Sequence, residues 1–369
     1  MNFSYWERQF LTDRADLTII GGGITGLSTA YHSSLLHPNW KIVILEKSPI
    51  STAASTRNAG FACFGSAGEL VDDLSSGMSM DDVLALAEKR YKGLLLLRKT
   101  LGESNLDYFS CGGTELFSSN QENEFEVVNG YLEELNHSLK SITGEEFTFK
   151  TSEVPKYLYG YKNAIFNSLE GKLNPGKMIQ AWRKLCQENN INLHYGAEAK
   201  IQKGSKSVSF GNHLIHSNQI AICTNGLTNS MIPKLNVSPA RNLVLLTDKL
   251  PDIELPSTYH HDKGYIYFRK IDDRILIGGG RNKFMETEST SKFQVNQELK
   301  KYLLKYLKDH FQVEKESVSH EWTGIMGVGD SKKVLIKRLD ETMVTGVRLG
   351  GMGVAIGTLV GKEVSELLQ

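Results

Sequence analysis

The sequence has no excess of one charge. Its 42 Lys and Arg residues are matched by 42 Asp and Glu, and the basic residues are scattered, not gathered into a stripe. That excludes the electrostatic footprint of a chain that binds nucleic acid or docks on an anionic membrane. Long apolar runs are missing too: none reaches the roughly 18 residues that a membrane helix needs. Residues 1–16 carry Glu7, Arg8, Asp13 and Arg14 and no apolar stretch typical of a signal peptide, so a cytoplasmic chain without a membrane span is expected. Cysteine is sparse. Cys63, Cys111, Cys186 and Cys223 lie far apart and form no C-x-x-C pair. Neither a zinc site nor a disulfide framework fits that spacing, and no metal is expected. Internal repeats and low-complexity linkers are absent. With 40% hydrophobic and 23% charged residues among 369, the chain can bury a substantial core in two domains or one large one. The oligomeric state is left open.

What the sequence does have is a glycine turn in a specific setting. Thr18-Ile19-Ile20-Gly21-Gly22-Gly23-Ile24-Thr25-Gly26 follows an apolar strand and opens a helical pattern through Leu27, Ala30, Tyr31 and Leu35. Val43-Ile44-Leu45-Glu46 then reads as a second strand, its acid 20 residues past Gly26. Gly21 permits the tight turn, Gly23 lets backbone approach a pyrophosphate, and Gly26 lets the helix lie on the sheet. The helix starting near Ile24 and Thr25 aims free N–H groups and a positive dipole end at the phosphates. Glu46, followed by Lys47, can accept both ribose hydroxyls. This is the sequence form of a site for the adenosine diphosphate half of a dinucleotide.

Further along, apolar periodicity predicts helices over 81–101, 121–141, 295–311 and 354–368. Asn174-Pro175 marks another helix start, with Asn capping and Pro in the first turn. Strands are predicted at 106–117, broken by Cys111-Gly112-Gly113, and at 191–194, 220–224 and 342–349. Segments 265–270 and 274–278 read as a hairpin around Ile271-Asp272-Asp273. Gly278-Gly279-Gly280 lacks the third glycine and helix of a second nucleotide site.

The chain resembles the D-amino-acid oxidase family of flavoproteins, which includes glycine oxidase, sarcosine oxidase and bacterial amine oxidoreductases. Four segments carry the likeness: Ala53-Ala54-Ser55-Thr56-Arg57-Asn58-Ala59-Gly60, the stretch from Leu173-Asn174-Pro175 to Gly196-Ala197-Glu198-Ala199, Thr224-Asn225-Gly226, and Gly350-Gly351-Met352-Gly353-Val354-Ala355. The resemblance implies FAD as cofactor. It implies that 53–60 wraps the pyrophosphate and flavin, that Ala199 meets the adenine, and that Thr224, Asn225 and Gly226 flank the dinucleotide. The N–H groups of the turn at Gly351, Met352, Gly353, Val354 and Ala355 would face the flavin pyrimidine ring, where a helix N-terminus stabilises reduced-flavin charge by up to about 2 kcal/mol. The implied fold class is α/β: a Rossmann-like FAD-binding domain (1–80, 165–230, 320–369) with an inserted β-rich α+β substrate domain (81–164, 231–319). Cys63 falls close to the expected cofactor.

The family chemistry would be oxidation of a C–N bond in an amino acid or other amine, by hydride transfer to flavin N5. Tyr265, Tyr267 and Arg269 alternate along one strand and so face one way. Tyr267 is expected as a pocket wall and Arg269 as a carboxylate anchor, since guanidinium can hold a carboxylate by two bonds. Arg348 is expected to project toward substrate, Met352 to line the pocket beside the flavin, and Arg241 to serve structure. The family's covalent-flavin Cys is missing from Trp322-Thr323-Gly324-Ile325-Met326-Gly327, so FAD should be non-covalent. The Lys that promotes reaction with oxygen is replaced within Ile275-Leu276-Ile277, and the carboxylate-binding Lys by Ala355. Two other readings fit the same residues: a 2-hydroxy-acid or polyol dehydrogenase on this scaffold, and a flavin-binding protein without turnover.

Overall fold

The computed structural model describes residues 3–202, 206–314 and 317–368. A short helix α1 (Tyr5–Phe10) leads into β1 (Arg14–Ile20), α2 (Ile24–Leu36) and β2 (Ile42–Glu46). Then come α3 (Ala54–Arg57), β3 (Phe61–Ala62), α4 (Ala67–Ser75), α5 (Met80–Leu101), α6 (Glu103–Leu106) and β4 (Gly113–Ser118). They are followed by α7 (Glu122–Thr143), β5 (Phe149–Ser152), β6 (Tyr161–Asn167) and β7 (Gly171–Lys172). The chain returns through α8 (Pro175–Glu188), β8 (Asn192–Tyr195), β9 (Lys200–Ile201), β10 (Ser207–Phe210) and β11 (His213–Ile222). It next lays down β12 (Ser238–Thr247), β13 (Thr258–His261), β14 (Ile266–Ile271), β15 (Arg274–Gly279), α9 (Met285–Glu288), α10 (Gln297–Phe311) and β16 (Val318–Val328). β17 (Leu335–Arg338), β18 (Met343–Val347) and α11 (Gly353–Glu366) close it.

One 8-stranded sheet runs β17-β18-β11-β1-β2-β8, with β10 and β9 added beside β11. β18, β11, β1, β2 and β8 are parallel. Leu17, Ile19, Ile42 and Ile44 pack on one face, and Ile20, Val43 and Leu45 on the other. Apolar residues on both faces are what a helix-covered parallel sheet requires. The second 8-stranded sheet runs β16-β12-β15-β14-β13-β4-β6-β5 and is antiparallel except where β13 meets β4. α10 covers it, burying Leu299, Leu303 and Phe311 with Leu243, Ile266 and Phe268.

Glycine sets the helix packing over the first sheet. A Cβ on Gly357 of α11 would stand 2.9 Å from Ile24 Cγ2, and one on Gly361 2.5 Å from Ser28 Cβ. Ser28 Oγ donates to the Thr358 carbonyl at 2.7 Å. α2 and α11 therefore run in the same direction at backbone range, and their N-termini point the same way. α5 meets α11 as closely: a Cβ on Gly93 would lie 2.1 Å from the Ala355 carbonyl.

The architecture differs from the expected one in detail. Of 106–117 only the last part is strand, because α6 occupies its start and Gly112 (φ +70) turns the chain into β4. Helices α1, α3, α4, α6 and α9 lie outside the expected set. Ser4 caps α1 with Glu7 and Ser66 caps α4 with Glu69; the S-x-x-E spacing was the available signal. Contacts run across the expected boundaries, among them β16 pairing along β12 in the second sheet and α5 packing on α11 through Gly93.

Candidate active site

A continuous cavity of ≈ 1400 Å³ runs from the carboxyl ends of β1 and β2 to the face of the second sheet. The ends of parallel strands are where open α/β sheets take ligands. Three glycines at the turn exclude a side chain for different reasons. Gly21 (φ +109) would place a Cβ 2.7 Å from the Cys223 carbonyl, Gly23 2.8 Å from Ser55 Oγ, and Gly26 1.9 Å from the Gly21 carbonyl. Glu46 is fixed at both oxygens: Oε2 accepts from Gly22 N at 2.7 Å, and Oε1 from Ser48 N at 2.8 Å and Ser48 Oγ at 2.6 Å. Ser55 Oγ accepts from Ile24 N at 3.0 Å. The Gly23 and Thr25 N–H groups have no partner among the described residues, and both residues line the cavity.

Most of the other expected cofactor contacts also line it: Ile24, Lys47, Ser55, Arg57, Asn58, Ala59, Gly60, Ala199, Thr224 and Asn225. Three do not. Gly26 lies behind the turn, the Thr56 hydroxyl donates to the Ala53 carbonyl at 3.2 Å, and Gly226 lies under the Met326 carbonyl, 2.2 Å from where its Cβ would be. Lys47 is exposed and pairs with Glu198 at 2.6 Å. Arg57 donates to the Thr323 carbonyl at 2.9 Å and lies 5.1 Å from the Phe293 ring centroid, with no carboxylate partner among the described residues.

The turn before α11 is tied down from the loop after β11. Asn225, itself left-handed (φ +45), accepts Arg348 N at 3.1 Å and Leu349 N at 3.3 Å on its Oδ1. Ile356 N closes the first turn on the Met352 carbonyl at 3.0 Å. That leaves the N–H groups of Gly353, Val354 and Ala355 without partners among the described residues, and Gly351 to Ala355 all line the cavity. Arg348 (φ +65) reaches the rim, but its guanidinium is committed to the Lys333 carbonyl at 2.9 Å and the Asn236 carbonyl at 3.3 Å.

Tyr267 reaches the cavity from β14. Gly278 makes the room: a Cβ there would sit 2.6 Å from the Tyr267 ring. Asn242 Nδ2 donates to Tyr267 Oη at 3.3 Å, while Asn242 Oδ1 is buried without a partner. Arg269 shares Tyr267's face but lies outside the cavity. It is 4% exposed, donates to the Leu173 carbonyl at 3.0 Å, and burial brings it down to about 10. The expected anchor is therefore shut beneath Gly60 and Leu173.

Sequence reasoning missed several lining residues. His260 stands in β13 beside Phe61, ring centroids 5.3 Å apart, and its Nε2 is 2.8 Å from Glu170 Oε2. The Thr-Tyr-His-His strand carries no motif that would have marked it. Cys63 lies close enough that its sulfur, a Glu170 oxygen and a His260 nitrogen fall within 4.8 Å of one another. The imidazole bonds the carboxylate, and burial pushes the thiol well above its ordinary value. The rim is ion-paired: Arg90–Glu69 at 3.0 Å, Lys332–Asp73 at 2.7 Å, Lys333–Asp82 at 2.7 Å and Lys263–Asp72 at 2.6 Å. For Glu69, burial alone would raise the carboxyl; Arg90 and Lys332 outweigh it and lower it to about 2.

These features fit a bound dinucleotide larger than any small substrate. Two helix N-termini present unpaired N–H groups, glycines clear the approach, and Asn242 Oδ1 offers an orphaned acceptor. The comparisons agree. The profile of the DAO family, FAD dependent oxidoreductase, matches residues 16–367. The chain is similar to gamma-glutamylputrescine oxidoreductase of Escherichia coli (strain K12), 23% identical over 379 residues and covering 96% of this chain and 83% of that one. In structure it is similar to glycine oxidase from Geobacillus kaustophilus, with TM-score 0.76, 16% identity and coverage of 97% and 96%. L-proline dehydrogenase from P. horikoshii gives TM-score 0.71 at 18% identity, covering 97% and 94%. Among the described residues no helix is long and apolar enough to cross a membrane. The chain belongs to the DAO family of FAD-dependent oxidoreductases, and FAD is its cofactor.

Proposed function

We propose that the protein oxidises the C–N bond of an amine or amino acid. The observation that carries this is one continuous cavity joining the glycine turn of α2 and the N-terminus of α11 to the side chains of Tyr267, Asn242 and His260. The relatives named for glycine, L-proline and gamma-glutamylputrescine support an amine over an alcohol. Bound FAD supplies the two-electron oxidant. The chain's part is to hold, orient and desolvate. The N–H groups of Gly23 and Thr25 would take the pyrophosphate, and those of Gly353, Val354 and Ala355 the electron-rich edge of the flavin. Tyr267 and Phe61 wall the substrate space, their ring centroids 5.5 Å apart. Arg269, expected to hold a carboxylate, and Arg348, expected to project toward substrate, both donate to backbone carbonyls, so the reading rests on the amine, not on an adjacent carboxylate.

The test is anaerobic reduction of the purified holoenzyme by a panel of glycine, N-methylglycine, L-proline, iminodiacetate, putrescine and lactate. Bleaching of the flavin by one of the amines is expected. Reduction by lactate alone would overturn the proposal.

A further inference from the structure

Resting on the amine reading, we infer that His260, positioned by Glu170, is the base that takes the substrate's ammonium proton. The geometry has three parts. His260 lines the cavity at 7% exposure, in the wall that also carries Tyr267. Its Nε2 is held 2.8 Å from Glu170 Oε2, a carboxylate 1% exposed. Its Nδ1 makes no hydrogen bond among the described residues and is not one of the fully buried orphaned atoms. With Nε2–H donated to the carboxylate, the neutral tautomer leaves a lone pair on Nδ1, the nitrogen free for a guest.

An amine arrives as an ammonium ion at neutral pH and must lose that proton before hydride can leave the neighbouring carbon. The proton moves from the ammonium to His260 Nδ1, giving an imidazolium and a free amine. The C–H bond then breaks, hydride carries its electron pair to the FAD, and the nitrogen lone pair forms the C=N bond. The substrate is oxidised by two electrons, the FAD is reduced by two, and the first proton rests on His260.

The surroundings favour that resting place. Facing the ring are Glu170 before β7, Glu115 of β4, Glu69 of α4 and Cys63 after β3; Arg90 of α5 and Lys332 offset Glu69. Burial alone would depress the imidazole, but Glu170, with Glu115 and Glu69 behind it, outweighs burial and holds it above its ordinary 6.5. Glu115 accepts from Ser66 Oγ at 2.8 Å and Gly68 N at 2.7 Å, and burial still raises it to about 7. Glu115, Glu170 and His260 share a void of ≈ 10 Å³, about the space one water needs.

Two readouts test this. In the FAD-loaded protein labelled with ¹⁵N-histidine, the His260 resonance, assigned by its loss in H260Q, should titrate above 6.5 and fall to or below that value in E170Q. A titration at or below the ordinary value that E170Q leaves unmoved overturns the proposal. The second readout is the limiting rate of anaerobic flavin reduction against pH, with the fastest amine of the panel as probe. The wild-type rate should fall as pH drops through the His260 value. H260Q should lose about 100-fold near pH 7 and regain rate tenfold per pH unit toward the amine's own pKa. E170Q, which keeps an acceptor oxygen and the same shape, should move the midpoint downward. An H260Q profile of wild-type shape at uniformly lower rate would show a structural role and overturn the base assignment. If no amine reduces the flavin, the function reading fails, and the resonance titration still decides whether the pair holds a proton as required.

Discussion

At the α2 end of the cavity the polar groups are mostly backbone N–H; at the β14 end they are side chains. Gly23, Thr25, Gly353, Val354 and Ala355 offer main-chain donors, held in place by glycines at van der Waals limits. Tyr267, Asn242 and His260 offer hydroxyl, amide and imidazole, held by partners drawn from β12, β15 and the turn before β7. The first end depends on what is missing from the chain, and the second on what is added to it. The two should therefore fail differently.

The largest failure is expected in the side-chain half. Arg241 of β12 meets Glu288 of α9 by two bonds, Nε at 2.7 Å and Nη2 at 2.8 Å, and Glu288 is fully buried. Removing one partner strands a buried charge, which costs about 3–5 kcal/mol. Arg241→Ala should lower the unfolding free energy from denaturant titration by that amount, whereas Arg241→Met with Glu288→Leu should cost much less. Equal losses from the single and the double change would show that charge is not what holds this half.

The backbone half should break at a position with no charge at all. Gly26→Ala puts a methyl 1.9 Å from the Gly21 carbonyl, and neither backbone can yield. Overpacking of that kind costs up to about 3 kcal/mol, and the purified protein should come out colourless. A yellow Gly26→Ala protein with an unchanged midpoint would erase the contrast.

The same contrast explains what the sequence disclosed. A glycine turn is local: strand, turn, helix and acid lie within residues 17–46, so the physics that needs them leaves a readable pattern. The α11 turn is equally local. By contrast, β13, β14 and the turn at Glu170 are brought together by sheet pairing across about a hundred residues, and nothing in the Thr-Tyr-His-His segment signals a partner so distant. Arg269 shows the limit from the other side. Alternation along β14 correctly puts it on Tyr267's face. It could not disclose that the cavity ends at Tyr267 and that Gly60 and Leu173 close over the next position. Gly278-Gly279-Gly280 was set aside as a nucleotide site, and its use is to admit the Tyr267 ring and turn the chain.

The rim between the halves is where pH should act. Glu69 sits at about 2 in the fold against an ordinary 4.5. The unfolded chain takes up a proton first as pH falls, so the stabilisation is whole above 4.5 and is lost as pH drops toward 2. Thermal midpoints of the wild type should fall across that window more steeply than those of Glu69→Gln. Parallel slopes would mean that the Arg90 and Lys332 contacts do not couple to folding.

The smallest effect is expected where a side chain assists the backbone half. Gly23 caps α2 without a side chain of its own, and Ser55 supplies the missing acceptor at 3.0 Å from Ile24 N. A lost helix cap costs about 1 kcal/mol, so Ser55→Ala should lower the unfolding free energy of FAD-free protein by about that much. Affinity for FAD should change less than about tenfold, the equivalent of 1.4 kcal/mol, because Gly23, Thr25 and the α11 donors are untouched. Fluorescence titration of the FAD-free variant measures it directly. Were Ser55→Ala to lose FAD altogether, the α2 end would depend on a hydroxyl as much as the β14 end depends on its amide and imidazole, and the two halves would not differ in kind.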